Sequence, residues 1–92
     1  MDEARVQGES REARLKRMKM RSMRRGTKEM DLILVRFAEA RLATMDAVAL
    51  EAYDDLLREN DQDLYQWISG QTDAPGHVAA MISEIRAVID AP

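Results

Sequence analysis

Apolar residues recur every three or four positions along almost the whole of this 92-residue chain, and no stretch alternates apolar with polar in the manner of a half-buried strand. That period restricts the fold to packed helices. The clearest case runs from Thr27 to about Leu42, where Met30, Ile33, Leu34, Phe37, Ala38 and Leu42 share one face. A last helix over His77–Asp90 places Val78, Met81, Ile82, Ile85, Val88 and Ile89 on a second such face. Four glycines, two prolines and 4% aromatic residues leave little for a turn-rich β sandwich.

Capping residues divide the remainder. Ser10 is the expected N-cap of a first helix reaching about Arg24, with Leu15, Met18 and Met23 as a thin apolar stripe. Asp46 suits the N-cap of a third helix, with Met45 before it stapled onto Leu50 and a buried face of Ala49, Leu50, Tyr53, Leu56 and Leu57. Asp61 or Asp63 opens a short fourth helix, Leu64 to Ser69, which Gly70 ends in the left-handed conformation. The expected fold is therefore all-α: a small compact five-helix bundle, one domain over residues 10–92, preceded by a flexible segment 1–9. Within it, Tyr53 and Tyr65 pack with exposed hydroxyls, Trp67 packs in the core, and His77 faces solvent or caps the last helix.

Charge is divided along the chain. Residues 1–30 carry ten Lys/Arg against five acids, a surplus of +5, and residues 31–92 carry four Arg against twelve acids, a surplus of −8. A basic arm on an acidic body implies either an anionic partner or complementarity within the molecule. Absence of cysteine excludes a disulfide scaffold, a thiolate metal site and a cysteine nucleophile, and the single histidine, His77, leaves little for zinc or triad chemistry. No Gly-rich phosphate loop or nucleophile elbow occurs. The opening residues lack a secretory signal's apolar core, and Asp2, Glu3, Glu9 and Glu12 argue against an acid-poor transit peptide. No segment is apolar enough to insert in a membrane, so the chain is expected to stay where it is made. The pattern holds no heptad seam, which makes a monomer the expectation.

Two stretches invite a functional reading. In Arg24-Arg25-Gly26-Thr27-Lys28-Glu29-Met30-Asp31, a helix stop meets a helix start. Gly26 can take the positive φ of a C-cap or serve as an N-cap, with Glu29 and Asp31 favourable in the first turn that follows. Equally, two arginines beside a glycine-opened backbone can offer forked donors and free N–H groups to a partner's carboxylates or phosphates. The basic run Arg14–Arg21, with Met18, Met20 and Met23 in or beside it, reads as a solvated face, a protein-docking helix or a nucleic-acid helix. The acidic body and a sequence pI near 5.1 count against nucleic acid.

Arg25, Gly26, Glu29 and Asp31, then Phe37-Ala38-Glu39, Met45, Tyr53, Leu56-Leu57 and Asn60-Asp61-Gln62-Asp63-Leu64-Tyr65-Gln66-Trp67-Ile68, resemble in order and spacing the FAD assembly factor (SdhE) family. The resemblance covers roughly residues 21–70. It implies a non-catalytic chaperone that binds the flavoprotein subunit of succinate dehydrogenase, and in bacteria often that of fumarate reductase, and promotes covalent attachment of FAD to a histidine of that subunit. It further implies that Arg25, Gly26 and Glu29, with Arg24 and Asp31 adjoining, form the partner-binding surface. No cofactor is held stably by the chain itself. Localisation would be cytoplasmic in a bacterium, or the mitochondrial matrix for a processed eukaryotic form. Thr27-Lys28 and Gln62 depart from the family pattern, which often has a bulky apolar residue after the glycine and proline at the second place. The competing class is a small nucleic-acid-binding or generic helical adaptor protein that uses the basic first helix.

Overall fold

The computed structural model describes residues 9–91, so the segment expected to be flexible lies, but for Glu9, outside the described residues. Five helices follow one another: α1 (Arg11–Arg21), α2 (Lys28–Arg41), α3 (Ala47–Leu56), α4 (Asp61–Ser69) and α5 (Gly76–Ile89), with a 3-10 turn at Leu42–Thr44 after α2. Among the described residues there is no strand.

Local chemistry accounts for most boundaries. Ser10 accepts from the Ala13 amide, Thr27 from Met30 and Asp46 from Ala49, each satisfying a donor that a helix start leaves open. The α4 cap is Asn60, which accepts from Gln62 and moves the helix start ahead of the expected Leu64. Asp61 and Asp63 then sit in the first turn, where the helix dipole favours them. Gly70 ends α4 with φ of 83°, as its position implied. The first helix stops at Arg21, three residues short of expectation, because Ser22 closes it: its Oγ donates to the Met18 carbonyl at 2.9 Å.

The core forms where these apolar faces meet. α5 packs on α2, α3 and α4, so Val78, Met81, Ile82, Ile85 and Val88 are buried against Leu34, Phe37, Leu50, Leu56 and Leu64. Phe37 and Tyr53 meet at its centre with ring centroids 5.3 Å apart and planes tilted by 52°. Met18 is the buried contribution of α1, whereas Met23, expected in the stripe, is exposed because it lies past the helix end. Trp67 packs partly buried against the core, and Tyr65 is exposed. His77 is exposed and meets Glu59 at 3.2 Å.

Tyr53 departs from the expected exposed hydroxyl. The whole side chain is buried, and its hydroxyl lies 2.6 Å from Ser22 Oγ. Burial pushes the Tyr53 phenol up to about 12, against a smaller opposing pull from the Ser22 hydrogen bond. Above pH 10 an unfolded chain releases this proton while the folded one retains it, so stability falls between about pH 10 and 12 and levels off beyond. Urea unfolding across that range is expected to show a loss of about 2 kcal/mol in the parent that Tyr53→Phe removes.

Candidate functional site

The basic first helix is held to the acidic body by a seam of arginines. Arg11, Arg14, Arg17, Arg21 and Arg25 are spaced three or four residues apart, which brings them to one side of α1 and its extension. Arg11 donates to the Met45 carbonyl at 2.7 Å and to Ala43 at 3.0 Å. Arg14 pairs with Glu51 at 3.3 Å. Arg17 and Arg21 both face the fully buried Asp54 carboxylate, Arg17 at 3.6 Å. Arg17 also grips Glu9 in a two-pronged pair at 2.9 and 3.1 Å, which holds the Glu9 carboxyl below its ordinary range and raises the arginine. Part of the charge division in the sequence is thus met inside the molecule, where Glu51, Asp54 and Asp61 of the body pair with Arg14, Arg17, Arg21 and Arg25.

The seam ends at Arg25, which ties four helices together. Its guanidinium donates to the Arg21 carbonyl at the end of α1, to Leu57 and Glu59 carbonyls beyond α3, and to the Asp61 carboxylate that opens α4 at 2.8 Å. Its backbone N–H donates to Asp31 in the first turn of α2. These acceptors are largely groups that helix ends leave unsatisfied, and the side chain that reaches them is only 12% exposed.

Gly26 has a spatial role at this point. It takes neither the left-handed φ nor the N-cap position expected of it: the positive φ, 56°, belongs to Arg24, and Thr27 caps α2. Instead its N–H donates to the second Asp61 oxygen, and a Cβ built on Gly26 would stand 2.9 Å from that same oxygen. Any side chain here displaces the carboxylate that holds Arg25. Asp61, read in the sequence as a capping residue, therefore belongs to the site. A separation of 35 residues from Gly26 left no local signal of that pairing.

The five candidate residues fall into two groups. Arg25 and Asp31 point inward and fix the junction, while Arg24 and Glu29 are exposed and their side chains make no hydrogen bond or ion pair among the described residues. Gly26 is exposed between them. Beside it, Thr27, Glu29, Gln62, Tyr65, Gln66 and Gln71 border an open groove of about 390 Å³ that reaches Asp61. No cluster of His, Cys, Asp and Glu suited to a metal ion occurs among the described residues, and no described helix is long and apolar enough to cross a membrane.

Fold and site together define a small helical protein that presents a rigidly tied surface junction beside a polar groove. Residues 16–89 match the family described as flavinator of succinate dehydrogenase, and the chain belongs to that family. It is 35% identical over 63 residues to the "FAD assembly factor SdhE" of Legionella pneumophila, a match spanning 68% of this chain and 80% of that protein. It is 42% identical over 67 residues to the "Succinate dehydrogenase assembly factor 2, mitochondrial" of Schizosaccharomyces pombe, covering 73% of this chain and 48% of that protein. The protein of the same name in Komagataella phaffii is 46% identical over 59 residues, or 64% of this chain and 31% of the relative. The chain thus spans between about a third and a half of these mitochondrial relatives. No solved structure matches it.

The two groups of site residues are separable by stability. Arg25→Ala is expected to lower the unfolding free energy by about 2 kcal/mol, since several part-buried acceptors lose their donor together. Glu29→Ala is expected to change it by less than about 0.5 kcal/mol. Chemical denaturation of both variants checks the contrast.

Proposed function

We propose that this chain is a non-catalytic assembly factor that docks on the flavoprotein subunit of succinate dehydrogenase and promotes covalent attachment of FAD to it. The observation that carries the reading is the family match over residues 16–89. Fumarate reductase's flavoprotein is a second client by the same resemblance. The factor acts as a monomer, in a bacterial cytoplasm or a mitochondrial matrix.

Bond formation belongs to the flavin and the client's own histidine, and this chain contributes geometry. Arg25, Asp61 and Asp31 preset the junction, so docking orders few groups on this side of the interface. Exposed Arg24 and Glu29 then offer one cation and one anion a few residues apart to the client. Holding the client where histidine and flavin meet is a positioning effect, of the kind that a displacement of about 1 Å can weaken a hundredfold. The nucleic-acid alternative is disfavoured because arginines that could fork onto phosphates are spent on Glu9, Glu51, Asp54 and Asp61.

Arg24 supplies a test in which stability and function part. A non-glycine residue at φ of 56° is strained, and the Arg24 side chain has no bond among the described residues to offset that. Arg24→Gly is expected to hold or raise stability by up to about 1 kcal/mol. Both Arg24→Gly and Glu29→Ala are expected to slow covalent flavin incorporation into the purified FAD-free subunit by about tenfold or more. Flavin fluorescence of the denatured subunit reads the rate. Parental rates in both variants would contradict the assigned contacts, and no acceleration by the parent chain would contradict the function.

A further inference from the structure

The cations of α1 are sorted by type. Its arginines face the body or its neighbours there, whereas Lys16 and Lys19 are exposed and have no ion-pair partner among the described residues. Two apolar surfaces adjoin Lys16. One, a groove of about 380 Å³, runs between α1 and the end of α2 over Leu15, Ala38 and Leu42, with Lys16 and Lys19 along it. The other, of about 420 Å³, is a shallow face of α1 itself, formed by Ala13, Lys16, Met20 and the stems of Arg17 and Arg21. Met20, 58% exposed, lies beside these surfaces, and Met23 is exposed just past the end of α1. Methionine is flexible and polarizable, which suits a surface that moulds to a partner.

We infer that this face is a second docking surface, which receives an acidic amphipathic segment of the flavoprotein client. Apolar residues of that segment seat along Met20 and the Leu15–Leu42 floor, and its carboxylates meet Lys16 and Lys19. The inference rests on the proposed function for the identity of the client, but on charge complementarity and groove shape for the chemistry. Exposed lysines attract carboxylates as point charges and steer encounter. A nucleic acid would demand a continuous cationic track, and Glu12 on α1 and Glu39 beside the first groove interrupt it. The Leu15–Leu42 groove runs between α1 and the end of α2, a shape that suits a peptide segment rather than the flat face of a bilayer.

The test is binding of the FAD-free flavoprotein subunit to the parent, to Lys16→Glu/Lys19→Glu and to Glu29→Ala, at low and high salt. Circular dichroism establishes that each variant keeps its helices. The double reversal is expected to weaken binding by about tenfold or more, mainly through slower association, and to flatten the salt dependence seen with the parent. Flavinylation at saturating concentration of this variant is expected to approach the parental rate, while Glu29→Ala stays slow at saturation. Parental affinity and salt dependence in the double variant would overturn the inference and leave the proposed function standing. Loss of binding to a short single-stranded RNA or to phosphatidylglycerol vesicles, with client affinity unchanged, would overturn it in favour of that ligand. A parent chain that neither binds nor flavinylates the subunit would overturn both.

Discussion

A single guanidinium closes this structure. Arg25 reaches the last carbonyl of α1, carbonyls following α3, the carboxylate that starts α4 and, through its backbone amide, the first turn of α2. Each is a place where a helix leaves polar groups without an internal partner, and the planar fork serves several at once. A lysine, with one ammonium point, could not reproduce that set. The rest of the arginine seam carries the same logic along the body, down to Asp54, which is fully buried and faces two arginines. A carboxylate so placed is tolerable only while paired. The apolar core supplies the driving force for collapse, and the seam sets where the basic arm must lie on the body.

That arrangement lets a short chain offer a defined surface. The loop from Ser22 to Gly26 would ordinarily be among the softer parts of a helical bundle. Here Asp31 and Asp61 hold its backbone from either side, and Gly26 has no side chain to push the second carboxylate away. Rigidity within the loop leaves Arg24 and Glu29 facing outward, one of them in a strained backbone conformation. Such strain is uncommon in a non-glycine residue, and no side-chain bond among the described residues offsets it at Arg24.

Much of the fold was legible because it follows local rules. The helical period of α2 and α5 located their buried faces, and Ser10, Asp46 and Gly70 behave as caps of the kind their positions imply. Boundaries shifted where a short-range hydrogen bond competed with the period, as with Ser22 ending α1 and Asn60 opening α4. Motif identity marked out Arg24 to Asp31, but the spacing could not say which of them look outward. That division depends on contacts made over more than thirty residues of chain, Arg25 with Asp61 and Ser22 with Tyr53 among them. The buried Tyr53 hydroxyl was misplaced for the same reason: its partner arrives from another helix.

Under the proposed function, one internally braced junction is also the face that meets the client. Amide hydrogen exchange of the chain, alone and bound to the FAD-free flavoprotein subunit of succinate dehydrogenase, measures both halves together. The Arg25 and Gly26 amides, bonded to Asp31 and Asp61, are expected to exchange slowly already in the free chain. Binding is expected to add protection over 24–29 and the first turn of α4, with α5 unchanged. Fast exchange at Arg25 and Gly26 in the free chain, or protection on binding confined to α5, would contradict this reading.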